Sequence, residues 1–221
     1  SKYEKEITST HVFGGSFKKG FIIPMMIIGV ICGLVMLERH ISGLMIIGML
    51  GLSVMFMGGT RLRWILMLLG FIAAAFLILI TVFASYAQAR LDIWLHIDEV
   101  DPLGDAWQTL QGLYAIGSGG FFGKGLGNSV QKMVIPEVQN DMILSVICEE
   151  LGVCGAIVIM VLFGILLYRL MFIARNAPDL YGSLIVTGVM AHIALQVILN
   201  IAVVTNTIPN TGITLPFFSY G

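Results

Sequence analysis

The sequence alternates between long apolar runs and short polar breaks, a pattern that predicts membrane-spanning helices. A hydrocarbon core about 30 Å thick requires roughly 20 apolar residues at 1.5 Å per residue. Five runs reach or approach this length, and they cover residues 20–37, 41–58, 64–84, 142–168 and 181–207. The pattern therefore predicts an all-α, polytopic helix bundle in a membrane, which we expect to form one domain over residues 1–221.

A long stretch, residues 85–141, separates the third and fourth predicted helices. Loops of this length are rarely passive connectors. Its first part mixes apolar and polar residues, and Trp94, Trp107 and Tyr114 predict short amphipathic helices at the membrane interface. Its second part, GSGGFFGKGLGNSVQK, is rich in glycine. We expect this loop to contribute to function.

Composition and charge agree with a membrane protein and set its orientation. Hydrophobic residues make up 57% of the chain and charged residues 11%, against about 25% charged in a typical soluble domain. With the N-terminus inside, eight of the 12 lysines and arginines fall on the inner side, which makes the long loop extracytoplasmic. A net charge of −1 gives no support to nucleic-acid binding. The three cysteines lie in apolar runs and are expected to pack rather than to pair or bind metal.

Three carboxylates occur where an apolar helix is predicted. Asp141 precedes the fourth helix, so it is either a helix cap or a base at the boundary between membrane and water. Glu149 and Glu150 follow two turns later, where a lipid-facing charge would cost several kcal/mol. Residues 151–168 are long enough to span the core alone, which would leave the glutamates near the outer interface. We expect them to be structural, for example by pairing with Arg39 or closing a water-filled pocket.

Three further features bear on a possible site. The glycine-rich loop matches neither a Walker A motif nor G-x-G-x-x-G, so it forms either a tight turn packed on the helix tops, which we favour, or a phosphate-binding loop assisted by Lys124 and Lys132. His192, Gln196 and Asn200 form one stripe on the fifth helix, which predicts interhelical hydrogen bonds. The prolines and glycine that follow predict irregular backbone that lines a cavity.

Three stretches together resemble a known family. They are DPLGDAWQTLQGLYAIGSGGFFGKGLGNSVQK (101–132), IPEVQNDMILSVICEELGV (135–153) and NTGITLPFFSYG (210–221). These are similar to the SEDS family (shape, elongation, division and sporulation), which includes FtsW, RodA and SpoVE, and they look most like the FtsW and SpoVE branch. The resemblance implies a ten-helix fold of which this chain holds about the fifth to ninth helices, so we expect it to be part of a longer polypeptide.

The resemblance also implies a function. Members of this family are inverting peptidoglycan glycosyltransferases that polymerise lipid II and release undecaprenyl pyrophosphate, in cell division or sporulation. They lie in the bacterial cytoplasmic (inner) membrane with the active site facing outside, and they pair with a class B penicillin-binding protein. Two alternatives stay open at this point: a non-catalytic scaffold that recruits the penicillin-binding protein, and a lipid II flippase.

Site residues follow from the same resemblance. Asp141 falls on the family's functional aspartate in a Pro-Glu-x-His-Thr-Asp-Phe pattern, although Gln139, Asn140 and Met142 stand where His, Thr and Phe are usual. Asp141 is therefore the expected catalytic base. Either Lys124 and Lys132 or a divalent cation (Mg²⁺ or Mn²⁺) is expected to neutralise the leaving pyrophosphate. The expected substrate-binding residues are Lys124, Lys132, Gln131, Asn128, Glu137 and Ser219.

Overall fold

The computed structural model describes residues 21–37, 41–60, 62–67, 69–70, 94–95, 97, 106–135 and 138–220. These residues form helices joined by turns and irregular segments, with no β-strand among them. The helices are α1 (Ile23–Leu37), α2 (Ile41–Met57), α3 (Trp107–Gly119), α4 (Ile143–Arg175) and α5 (Leu180–Val204), with a short 3₁₀ helix at Gln131–Met133. Most of the predicted third helix, 64–84, lies outside the described residues.

The two C-terminal helices are the ones long and apolar enough to cross a membrane within the described part of the chain, and α1 and α2 are shorter apolar helices. Helix α4 continues past the predicted end at 168 because no helix-breaking residue occurs before Pro178. Helix α5 ends before the predicted residue 207. There Asn206 adopts a left-handed backbone with φ 54°, a conformation that asparagine tolerates at helix C-termini.

The chain divides into two compact units, the first of which comprises Ser1–Leu79 and Leu167–Leu195. In this unit α1 packs against α2, and Gly51 on α2 leaves room for the side chain of Ile28 on α1. Val54 of α2 lies against Gly188 of α5. Small residues at such positions let membrane helices approach closely and gain packing contacts.

The second unit comprises Ile80–Leu166 and Gln196–Gly221. Its described part holds α3, the glycine-rich loop, the first half of α4, the end of α5 and the irregular segment 205–220. Its interior contains apolar side chains such as Met142, Val203 and Leu215, but also the fully buried polar residues Glu149 and Asn200. Buried polar groups require hydrogen-bond partners, and those partners define the candidate site.

Candidate active site

Asp141 lies immediately before α4, with 8% of its surface exposed. The helix begins at Ile143, so the aspartate stands at the helix entrance rather than within it. Its Oδ1 accepts a hydrogen bond of 3.1 Å from Nε2 of Gln108 on α3. The next residue, Met142, is fully buried and anchors this end of the helix in the core. Asp141 is therefore a nearly buried carboxylate with a fixed backbone.

Asn200 on α5 fixes the backbone of Asp141. Its Nδ2 donates to the carbonyl of Asp141 at 2.8 Å and to the carbonyl of Ile213 at 2.7 Å. Asn200 is fully buried, so its amide supplies both carbonyls with a donor in a region from which water is excluded. One side chain thus joins α5, the entrance to α4 and the segment after α5.

The segment 205–220 packs along the residues that precede Asp141. The hydroxyl of Ser219 donates to the carbonyl of Asn140, and the N–H of Tyr220 donates to the carbonyl of Gln139 at 2.9 Å. Oγ of Ser219 also accepts from the N–H of Leu215 at 2.8 Å, which closes a turn. Gln139 and Asn140 take part in these two contacts through their backbone carbonyls.

Helix α4 is broken at Gly152, which has φ 69° and ψ −169°. This backbone conformation is essentially restricted to glycine. The glycine-rich loop satisfies the groups that the break exposes. The N–H groups of Lys124 and Gly125 donate to the carbonyls of Glu149 and Glu150, each at 2.9 Å. In return, the N–H groups that follow the break donate to loop carbonyls. The glycine-rich loop therefore packs against α4, in agreement with the favoured interpretation of a tight turn packed on the helix tops.

The buried carboxylate of Glu149 has five nearby donors. Lys124 Nζ lies 2.7 Å from Oε1, and the Ser129 hydroxyl donates to Oε2 at 2.5 Å. The hydroxyl of Ser118 and the N–H groups of Val130 and Gln131 complete the set at 3.2–3.4 Å. A charge with this number of donors is well satisfied despite its complete burial. The glutamate therefore organises the loop around itself.

Glu150 holds the far end of the same loop. Lys132 Nζ lies 3.3 Å from its Oε1 and 2.7 Å from the carbonyl of Gly127. The side chain of Glu150 is 14% exposed and that of Lys132 is 32% exposed, so this ion pair is partly hydrated. Both lysines of the loop are thus paired with the two glutamates. Arg39, the partner considered for these glutamates from the sequence, lies outside the described residues.

An apolar cavity of about 370 Å³ lies beside the helix break. It is lined by Ile116 on α3, by Cys148 before the break, and by side chains of α4 after it: Val153, Ala156, Ile157, Met160 and Val161. The cavity therefore lies between α3 and the apolar part of α4 on both sides of the break.

Comparison with known proteins identifies the family. The model of the FtsW/RodA/SpoVE family, described as cell cycle protein, matches residues 9–221. The chain belongs to the FtsW/RodA/SpoVE family. Stage V sporulation protein E of Bacillus subtilis is 40% identical over 223 residues, which cover 100% of this chain and 58% of that protein. A probable peptidoglycan glycosyltransferase FtsW of Coxiella burnetii is 40% identical over 207 residues, which cover 92% of this chain and 55% of that protein.

Solved structures show the same relationship. One matching structure comes from a study of how a peptidoglycan synthase complex coordinates polymerization and crosslinking. Its chain matches with a TM-score of 0.71 at 26% identity, over 99% of this chain and 60% of that one. The rod shape determining protein RodA of Thermus thermophilus matches with a TM-score of 0.60 at 25% identity, over 100% of this chain and 54% of that one. The all-α FtsW/RodA/SpoVE membrane fold is confirmed, and the protein belongs to the inner membrane. The chain spans little more than half the length of these relatives.

The predicted site residues of this FtsW/RodA/SpoVE chain fall into two groups. Asp141 and Ser219 belong to the first, at the entrance to α4. Lys124 and Lys132 belong to the second, around the two glutamates, together with two other residues of the loop. Asn128 donates to the carbonyl of Lys124 at 3.1 Å, and Gln131 contributes its N–H to Glu149. Glu137 lies outside the described residues. Their roles in substrate binding remain predictions.

Several residues that build the site are absent from the sequence prediction. Gln108 binds Asp141 from α3, Asn210 binds Gln108 from the segment after α5, and Ser129 binds Glu149. The sequence does contain one indication of these contacts. A glutamate in an apolar helix, such as Glu149, requires hydrogen-bond donors, and the polar loop before the helix can supply them.

The polar stripe on α5 was predicted to form interhelical hydrogen bonds. Asn200, a member of that stripe, does connect α5 to other segments of the chain. Its partners are backbone carbonyls rather than side chains of other helices. The stripe therefore contributes to the site by holding backbone in place.

The described residues offer limited means to hold a metal ion. They contain no group of three or more His, Cys, Asp or Glu side chains placed around one point. A Mg²⁺ ion commonly takes only one or two carboxylates and completes its shell with phosphate and water. An ion held here would therefore take most of its ligands from phosphate and water.

Proposed function

We propose that this protein is part of a peptidoglycan glycosyltransferase that polymerises lipid II into glycan strands and releases undecaprenyl pyrophosphate, in division or sporulation. The observation that carries this proposal is Asp141. It is a nearly buried carboxylate held through its side chain by Gln108 and through its backbone by Asn200. A base held in one orientation from two helices is suited to proton transfer.

The proposed step is a displacement at the donor sugar. The 4-hydroxyl of the acceptor attacks C1 of the donor, and its proton passes to Asp141. The bond between C1 and the pyrophosphate oxygen breaks, and undecaprenyl pyrophosphate leaves with inversion at C1. Asp141 therefore has to be ionised before the step and to face the acceptor hydroxyl.

Negative charge develops on the leaving pyrophosphate and has to be stabilised. Lys124 and Lys132 are the proposed groups, each about one-third exposed and each also paired with a glutamate. A divalent cation, Mg²⁺ or Mn²⁺, would supply further charge neutralisation when bound. Because the lysines are already ion-paired, they would act through their remaining N–H groups rather than as unpaired cations.

The position in the membrane fits a lipid-linked substrate. After the break at Gly152, α4 continues to Arg175 for about 34 Å, slightly more than the roughly 30 Å hydrocarbon core. We infer that the break and the loop lie at the outer membrane surface, where the sugar and pyrophosphate of lipid II are in water. The apolar cavity beside the break is chemically suited to an isoprenoid chain.

We further propose a class B penicillin-binding protein as the partner. This proposal is supported by the structural match to a chain of a peptidoglycan synthase complex, which is described as coordinating polymerization with crosslinking. The non-catalytic scaffold stays as the second candidate because Gln139 and Asn140 differ from the His and Thr that are usual at these positions of the family pattern. The structural contacts of these two residues through backbone carbonyls favour the catalytic proposal, since the departures leave those contacts intact.

The test is lipid II polymerisation by the full-length protein together with its penicillin-binding protein. Asp141→Asn keeps the shape of the side chain and an oxygen for Gln108 but removes the base, and we expect at least about a 100-fold loss of product. Asp179→Asn is the matched control, because Asp179 caps the start of α5 and is outside the site. Equal product from wild type and Asp141→Asn would remove Asp141 from the chemistry. No product from wild type would favour the scaffold or flippase alternatives, which a leaflet-to-leaflet lipid II assay separates.

A further inference from the structure

Three hydrogen bonds connect the backbone of Gly212 to the carboxylate of Asp141. The N–H of Gly212 donates to Oδ1 of Asn210 at 3.0 Å. Nδ2 of Asn210 donates to Oε1 of Gln108 at 3.2 Å. Nε2 of Gln108 then donates to Oδ1 of Asp141 at 3.1 Å. All four residues belong to the second compact unit.

The hydrogen bond from Gly212 to Asn210 determines the direction of the other two hydrogen bonds. A backbone N–H can only donate, so the oxygen of the Asn210 amide has to face Gly212 and its NH₂ group has to face Gln108. Gln108 consequently turns its oxygen toward Asn210 and its NH₂ group toward Asp141. The opposite orientation of Gln108 would place an amide oxygen against a carboxylate oxygen, which is repulsive. The two amides therefore have one consistent arrangement.

We propose that Gln108 and Asn210 are positioning residues for the glycosyl transfer, which keep a hydrogen-bond donor directed at Asp141. A donor at this position favours the ionised carboxylate over the protonated one and restricts its rotation. Asn210 acts only through Gln108, since its hydrogen bond is to the glutamine. This inference rests on the proposed function, because it assigns a role toward Asp141 as the base.

A chemically small substitution is expected to reverse the direction of these hydrogen bonds. Asn210→Asp preserves size and shape, but both carboxylate oxygens only accept hydrogen bonds. One oxygen still accepts from Gly212, and the other requires a donor from Gln108. The glutamine amide then rotates, directs its NH₂ group at the introduced carboxylate and presents its oxygen to Asp141. Asn210→Ala, in contrast, leaves Gln108 able to keep donating to Asp141.

The experiment is a double-mutant cycle measured by polymerisation of lipid II with the full-length protein and its partner. In the wild-type background we expect Asn210→Asp to lower kcat roughly 10- to 100-fold more than Asn210→Ala does, with KM unchanged. In a Gln108→Ala background the two substitutions of Asn210 are expected to have equal effects. A purely electrostatic or structural effect of the introduced carboxylate would persist in both backgrounds.

Controls separate the possible failures. Gln111→Ala removes a glutamine from the same helix outside this chain of hydrogen bonds and is expected to keep wild-type kcat. Gln108→Glu presents an acceptor to Asp141 without altering the turn at Gly212, and it replaces Asn210→Asp if that variant fails to fold. Equal kcat for Asn210→Asp and Asn210→Ala, or the same ratio in both backgrounds, overturns the inference while the proposed function stands. An active Asp141→Asn, or an inactive wild type, overturns the proposed function and the inference together.

Discussion

The ammonium group of Lys124 lies 2.7 Å from the carboxylate of Glu149, whose side chain is fully buried while that of the lysine is 36% exposed. The pair joins the glycine-rich loop to the turn of α4 that precedes its break. Together with the hydroxyl and backbone donors of the loop, it explains how an apolar helix carries a charge. The Lys124 side chain lies between the buried carboxylate of Glu149 and the solvent, and it therefore connects the glutamate to the protein surface.

Loss of Glu149 is expected to be strongly destabilising. Glu149→Ala leaves Lys124, Ser129 and two backbone N–H groups without their acceptor in a buried cluster. Each buried donor left without its acceptor costs about 1–3 kcal/mol, so we expect a total loss of about 3–5 kcal/mol. We expect a correspondingly large decrease in the melting temperature of the full-length protein in detergent, measured by intrinsic fluorescence.

Lys132→Ala provides the comparison for this experiment. Its partner Glu150 and the lysine itself are both partly exposed, and such pairs contribute less than about 1 kcal/mol. We expect a small decrease in the melting temperature for Lys132→Ala. Similar decreases for Glu149→Ala and Lys132→Ala would contradict the central role assigned to Glu149.

The helix break at Gly152 is expected to tolerate no side chain. A Cβ at this position would overlap the backbone N of Gly123 and the carbonyl of Phe121, and φ 69° is unfavourable for any other residue. We expect Gly152→Ala to cost at least about 3 kcal/mol through backbone strain and collision. The measurement is the fraction of monodisperse protein after size-exclusion chromatography, followed by thermal unfolding.

Gly164→Ala is the matched control on the same helix. Gly164 has open space where its Cβ would lie, and glycine within a helix is about 0.5–1 kcal/mol less favourable than alanine. We expect Gly164→Ala to give normal yield with unchanged or slightly higher stability. If Gly152→Ala behaves like Gly164→Ala, the break in α4 does not have the conformation described.

The sequence was sufficient to predict the helical membrane fold and the position of Asp141 at the start of a helix. Both depend on local properties, namely the length of apolar runs and the place of a charge relative to them. The high glycine content of the loop likewise favours a tight turn packed on the helix tops. What the sequence pattern did not reveal is that the loop donates to Glu149 and Glu150, because residues 18–31 positions apart meet only after the chain folds back.

The amides around Asp141 illustrate the limit of sequence reasoning more clearly. Gln108 and Asn210 are 102 positions apart, and although both lie in stretches that carry the family resemblance, neither stretch indicates that the two side chains meet. Their contact depends on where α3 and the segment after α5 are placed in the fold. Helical periodicity placed Asn200 on a polar stripe, yet it could not distinguish a side-chain partner from the two backbone carbonyls that it binds.

Asn200 is expected to be important for both stability and activity. Asn200→Ala removes the amide that donates to the carbonyls of Asp141 and Ile213 in a buried region, which we expect to cost about 2–4 kcal/mol. Polymerisation should decrease as well, because the backbone of the proposed base is no longer held. Asn176→Ala is the control, since Asn176 donates to a single exposed carbonyl and its loss should change stability by less than about 0.5 kcal/mol. Normal activity in a folded Asn200→Ala would show that the backbone contact is not required.

The role of Lys132 in binding the substrate pyrophosphate is separable from its ion pair. Lys132→Met and Glu150→Gln both remove the charge pairing, but only the first removes a cation that would contact phosphate. Since a hydrogen bond to a charged group contributes about 1.5–3 kcal/mol, we expect Lys132→Met to raise KM for lipid II about tenfold or more. Glu150→Gln is expected to leave KM unchanged or to lower it, because it releases the lysine from a competing carboxylate.

The comparison of these two variants decides between a structural and a substrate-binding lysine. Both should melt at similar temperatures, because each breaks the same partly exposed pair. Equal increases in KM would mean that the pair acts by holding the loop in place. Only Lys132→Met also loses the hydrogen bond from the lysine to the carbonyl of Gly127. An increase in KM for Lys132→Met alone, with matching melting temperatures, therefore assigns the lysine to the pyrophosphate, because the loop is then equally stable in both proteins and only one of them lacks the positive charge.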